Sequence, residues 1–132
     1  MKKDIENRDD IIRLVNAFYD KVKADPLIGC IFNDIMKVNW EKHLPVMYDF
    51  WENTLFYTGS YTGNPMDTHK HLHRIFPLDA THFDQWNRLF ASTVNELFKG
   101  EKATLARQRA YSISTVMKIK ITQEQTDINK IY

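Results

Sequence analysis

Between Thr81 and Gly100 the apolar side chains return every three or four residues, at Phe83, Trp86, Leu89, Phe90, Val94, Leu97 and Phe98. That spacing lays a single apolar stripe along an α-helix, whereas a strand would scatter the same residues over both faces. A helix this short gains most of its stability by burying such a stripe against neighbours. The same periodicity occurs three more times. Ile11, Ile12, Val15, Phe18, Tyr19 and Val22 form one set, opened by the cap sequence Asn7-Arg-Asp-Asp10 and ended at Asp25-Pro26. Trp40, His43, Leu44, Met47, Phe50, Trp51 and Leu55 form a second, with Asn39 as cap and Pro45 as the source of a kink. A last helix is predicted from about Glu101 through Leu105, Tyr111, Ile113, Val116, Met117 and Ile121. Thr81-His-Phe-Asp84 reads as the capping box of the helix described first, and Lys99-Gly100 as its C-cap. No stretch alternates as a strand does. The fold class is therefore all-α, and the 132 residues make a single domain over 1–132, with 1–6 and 123–132 expected as frayed tails.

The connectors hold the unusual residues. Leu27 to Phe32 is an apolar link, and Phe32 is large enough to wall a pocket. Phe56 to Pro65 holds two of the four glycines and reads as a loop. Met66 to Leu72 then suits a short helix opened by Pro65.

Aromatic residues make up 13% of the chain, which implies either a bulky core or a pocket for a flat apolar ligand. A net charge of +1 with both signs interspersed gives no basic stripe for nucleic acid or an anionic membrane. Cys30 is alone, which excludes an internal disulfide and a cysteine-built zinc site. The start Met1 to Asp10 has no apolar leader, and no run is long enough to span a bilayer, so a cytoplasmic protein is expected.

His69, His71 and His73 alternate. On a strand all three would share a face and could bind zinc or copper; on a helix only His69 and His73 do. His69 follows Pro65 by four residues on the expected short helix. His43 stands on an aromatic helix face, where a histidine is ordinarily a boundary residue. Tyr19 and Trp86 would ordinarily be core residues whose polar tips find a partner, or they converge with His43 on a polar ligand in an apolar cavity.

Several segments, in order, resemble the group III truncated haemoglobins: Phe18-Tyr-Asp-Lys-Val22, Asp25-Pro-Leu-Ile-Gly29, Ile31-Phe32, Trp40-Glu-Lys-His43, Phe50-Trp51, Tyr61-Thr-Gly-Asn-Pro-Met66 with His69, and His82-Phe-Asp-Gln-Trp86. The resemblance runs from about residue 7 to residue 120. It implies a shortened, two-on-two helical globin sandwich enclosing haem b, with His69 as the proximal iron ligand. Tyr19, His43 and Trp86 would line the distal side. Phe32, Met47, Phe50, Trp51, Met66 and Phe83 would pack on the cofactor. The implied function is binding of dioxygen and other diatomic ligands by a monomer. The alternative is a redox enzyme, a nitric oxide dioxygenase or peroxidase-like, fed by an external reductase. Relatives often carry Arg-Pro after the proximal histidine; this chain has Lys70-His71, which leaves His71 and His73 as rival ligands.

Overall fold

The computed structural model describes residues 2–35, 37–59, 61 and 78–131, with the backbone alone at 35 and at 122–131. The described residues form four α-helices, α1 (Arg8–Ala24), α2 (Trp40–Phe56), α3 (Ala80–Leu97) and α4 (Glu101–Ile131), and a π-helical turn at Ile31–Ile35. Among the described residues there is no strand. The short helix expected at 66–72 lies outside the described residues.

The helices form two pairs. α1 packs on α2, and α3 packs most extensively on α4; α1 also crosses α3, and α2 touches α4. The shared core is apolar and includes Ile11, Leu14, Phe18, Val22, Leu55, Phe90 and Val94, all at 0–1% exposure. Burial of this kind contributes about 1.5–3 kcal/mol for each large side chain.

The caps explain where the helices begin. Asn7 opens α1 by accepting from the Asp10 N–H. Beyond its end, the Asp25 carboxylate accepts from the N–H groups of Leu27 and Ile28. Gly29 then passes so close to α1 that a Cβ there would sit 2.9 Å from the carbonyl oxygens of Val22 and Lys23. Only a residue without a side chain lets the connector fold back and bury Ile28 and Ile31. Pro45 does not end α2, which stays continuous to Phe56.

One expectation about an element end is corrected. Helix α3 is capped by Asp79, not Thr81: the Asp79 carboxylate accepts from Thr81 and His82 N–H, and His82 Nδ1 accepts from the Asp79 N–H. Both residues are cap types, and the aspartate brings an ionised acceptor to a positive helix terminus. Helix α4 runs to Ile131, and neither glycine nor proline follows Gly100 to break it.

Residues 3–5 make contacts far along the chain. Ile5 is 1% exposed, and the Lys3 carbonyl accepts from the Lys99 N–H. Asp4 supplies the cap that α4 lacks locally, its two carboxylate oxygens accepting from Lys102 N–H at 2.9 Å and Ala103 N–H at 2.8 Å. The residue before α4 is Gly100, at φ +148, and a Cβ there would fall 2.4 Å from Asp4 Cγ. Glycine thus clears the space that the distant carboxylate occupies.

Removing this cap in Asp4→Ala is expected to cost about 1 kcal/mol, within the roughly 0.5–2 kcal/mol range for lost caps, read as a lower melting temperature. Burial pushes the Asp4 carboxyl up, but the N–H groups of Lys102, Ala103 and Ile5 outweigh it and hold it below its ordinary 3.8. A depressed carboxyl stabilises the fold above that ordinary value and stops doing so as pH falls through the lower folded one. Acid denaturation followed by circular dichroism should therefore be less steep in Asp4→Asn than in the parent. Phe90→Ala, which empties the centre of the core, should cost about 3–5 kcal/mol in denaturant titration.

Candidate functional site

Two adjoining groups of side chains stand out where α1, the π-helical turn, α2 and α3 meet. The first is a cluster of rings. Tyr19 lies 5.4 Å from His43, 6.0 Å from Phe32 and 5.3 Å from Trp40, centroid to centroid. Helix α1 presents Tyr19 inward because it shares the apolar face with Val15, Phe18 and Val22. His43 reaches it from the first turns of α2, and its Nε2 is buried.

The second group lines an apolar cavity of about 70 Å³. Phe32 and Ile31 form one wall and Phe83 and Trp86 another; Ile113, Ser114 and Met117 come from α4, with Ile28, Leu78 and His82 at the edge. Phe32 belongs to both groups, since it touches Tyr19 and lines the cavity. The Ser114 hydroxyl donates to the Tyr111 carbonyl, which satisfies it within its own helix.

These groups are seated on the core. Trp86 is parallel to Phe90 at 5.8 Å, and Phe90 is parallel to Trp51 at 4.5 Å, so three rings form one stack across α3 and α2. Phe18 meets Tyr19 at 4.9 Å and Trp86 edge-on at 5.6 Å. Contacts of this geometry contribute about 0.5–1.5 kcal/mol each beyond area burial.

The expected site residues fall into three sets. Tyr19, His43 and Phe32 come together in the ring cluster, and Phe32, Phe83 and Trp86 line the cavity. Met47, Phe50 and Trp51 lie along α2 against the core; Trp51, at 2% exposure, is the base of the ring stack. His69 and Met66, with the rival His71 and His73, lie outside the described residues.

Sequence reasoning overlooked Trp40, His82, Ile113, Ser114 and Met117. The four-residue step from Ile113 to Met117 was a usable signal, since it places both on one face of α4. Nothing in the spacing showed that this face closes the cavity.

The chemistry of the lining suits the face of a flat, largely apolar cofactor, and the cavity of about 70 Å³ enclosed between the described residues is smaller than such a cofactor. That lining is mostly aromatic and aliphatic, with His82, Ser114 and the Trp86 indole as polar members and without a lysine, arginine or carboxylate. Burial alone acts on the Tyr19 phenol, pushing it well above its ordinary 10.0. It is thus a neutral O–H donor across the physiological range. Among the described residues no group of histidine, cysteine and carboxylate side chains could hold a bare metal ion. No helix among them is long and apolar enough to cross a membrane.

Comparison with known proteins agrees with this geometry. The family model described as bacterial-like globin matches residues 4–122. The chain is 30% identical over 118 residues to the group 3 truncated hemoglobin ctb of Campylobacter jejuni, covering 87% of this chain and 91% of that protein. The crystal structure of a group III truncated hemoglobin from Campylobacter jejuni superposes with a TM-score of 0.79 at 29% identity, covering 92% of this chain and 95% of that one. The helical pairs, the aromatic cavity and these matches together place the chain: it belongs to the bacterial-like globins, as a group III truncated haemoglobin, a haem-binding protein.

Proposed function

We propose that this chain holds haem b through His69 and binds dioxygen or a related diatomic molecule on the side lined by Tyr19, His43 and Trp86. The observation that carries the reading is the Tyr19 hydroxyl: buried, neutral and set 5.4 Å ring to ring from His43, beside an apolar cavity. When bound, the haem iron supplies a coordination position for the small ligand. Phe32 and Phe83 would pack on the macrocycle, with Met47, Phe50, Trp51 and Met66 completing the apolar surround. The ring nitrogen of His69 that is not on the metal would need an acceptor to set its orientation.

The chain's own contribution is donor placement. Tyr19 O–H and the Trp86 indole N–H can each donate, and neither can be replaced by a charged group without a desolvation cost in this apolar setting. Each neutral hydrogen bond contributes about 1 kcal/mol net, and about 1.4 kcal/mol is a factor of ten in the equilibrium. Two donors therefore favour holding the ligand over releasing it quickly. The same donor set supports a second reading, turnover of nitric oxide or peroxide with electrons from a separate reductase.

The expected results are concrete. Purified protein offered haem should show the absorbance of a histidine-ligated haem in its reduced and carbon monoxide forms. His69→Ala should lose that spectrum, whereas His71→Ala and His73→Ala should keep it; an unchanged His69→Ala spectrum removes the ligand assignment. Tyr19→Phe should speed dioxygen dissociation roughly tenfold or somewhat less, measured by stopped flow. Nitric oxide or peroxide turnover no faster than that of free haem removes the enzyme reading.

A further inference from the structure

Trp40, like Tyr19, touches every other ring of the cluster. Its indole lies 5.3 Å from Tyr19, 5.7 Å from His43 and 5.9 Å from Phe32, nearly parallel to the last. The Lys23 ammonium sits over the same indole, 4.5 Å from its centroid. Lys23 is itself tied down, because its carbonyl accepts from the Asn33 side-chain amide in the π-helical turn. One indole therefore joins the end of α1, the π-helical turn and the start of α2.

The backbone that carries Trp40 and His43 is weakly held by its own hydrogen bonds. Asn39 occupies the N-cap position of α2 but makes no side-chain cap bond. Its carbonyl alone accepts from both Lys42 N–H, at 3.1 Å, and His43 N–H, at 2.9 Å. Pro45 has no N–H to offer the Glu41 carbonyl. Two residues before Asn39, Lys37 stands at φ 48, a left-handed conformation that non-glycine residues adopt at a cost. A helix start so poorly capped would fray, and side-chain contacts are what remain to hold it.

We propose that Trp40, clamped by the Lys23 ammonium, is a positioning residue that fixes Tyr19 and His43 beside the cavity and so sets how fast a diatomic ligand enters and leaves. The proposal rests on the distal role given to Tyr19 and His43 above. The indole does not itself meet the ligand. It acts by keeping the first turn of α2 closed against α1, and Lys23 holds it there through the attraction of a cation for an aromatic face. A half-buried tryptophan in a plain core role would alter global stability. A positioning tryptophan alters the first turn of α2 selectively.

The test uses the full chain with Trp40→Ala, Trp40→Phe and Lys23→Met. In the haem-free protein, amide hydrogen exchange is read at Lys42 and His43 and compared with amides at the centre of α3. Trp40→Ala should speed exchange at the two α2 amides about tenfold relative to the α3 reference. Lys23→Met, which leaves the indole in place, should speed it roughly threefold. Trp40→Phe should restore most of the protection. In the haem-loaded protein, carbon monoxide rebinding after flash photolysis should quicken about tenfold in Trp40→Ala and stay near the parent rate in Trp40→Phe. Exchange that rises equally in α2 and α3 overturns the positioning role, as does a Trp40→Phe variant no better than Trp40→Ala. Selective exchange with unaltered rebinding overturns the claim on ligand traffic. If the parent chain takes up no haem, the reading of the site fails instead, and the exchange measurement still decides whether Trp40 positions its neighbours.

Discussion

Phe18 and Phe90 meet at 5.2 Å, nearly perpendicular, where one helix pair crosses the other. Both rings are within 1% of complete burial, and the positions of Tyr19, Trp51 and Trp86 follow from them. Tyr19 sits against Phe18, Trp51 against Phe90, and Trp86 touches both. Edge-on and offset geometries are the arrangements that aromatic quadrupoles favour, so each ring restricts the tilt of the next. The hydroxyl and the indole N–H assigned to ligand contact are therefore anchored on groups that no solvent reaches. In a close-packed interior a displaced ring must move its neighbours too. Core and site form one object here, and a mutation at Phe18 or Phe90 would be felt at both.

The two ends of that object are held unequally. On the α3–α4 side, every helix start has a carboxylate on its first N–H groups: Asp79 for α3 and the sequence-distant Asp4 for α4. On the α2 side the cap side chain is unengaged and a proline interrupts the ladder. Stability in a folded protein is seldom uniform, and the parts that must yield to a ligand are drawn from its weaker regions. The distribution of caps in this chain fits that pattern, with the rigid wall built from α3 and α4 and the compliant one from the start of α2.

Much of this was readable from residue order. Period-three and period-four spacing located α1, α2, α3 and α4, and Asn7 marked the start of α1 correctly, because both signals are local. The ordered aromatic and histidine pieces resemble the haem-binding globins on sequence alone. The misses share a cause. Asp79 and Thr81 are both good caps two residues apart, and choosing between them takes knowledge of where the chain turns before α3. Ile5 and Asp4 looked like part of a polar lead, since their partners lie about a hundred residues away. The aromatic face of α2 was evident, but only packing shows that Trp51 supports the core stack while Trp40 meets Tyr19 and His43. Local pattern specifies which face is apolar, whereas the identity of the covering element is a property of the assembled fold.

The carboxylate that Asp4 sends across to α4 also has a bearing on biosynthesis. It leaves the ribosome about a hundred residues ahead of the amides it must meet, those of Lys102 and Ala103. At roughly 5–20 residues per second, the acceptor waits on the order of several seconds before its donors exist. Closure of the strap around Asp4 onto α4 therefore follows synthesis of everything between them. A change near Asp4 is therefore felt at the start of α4, far away in sequence.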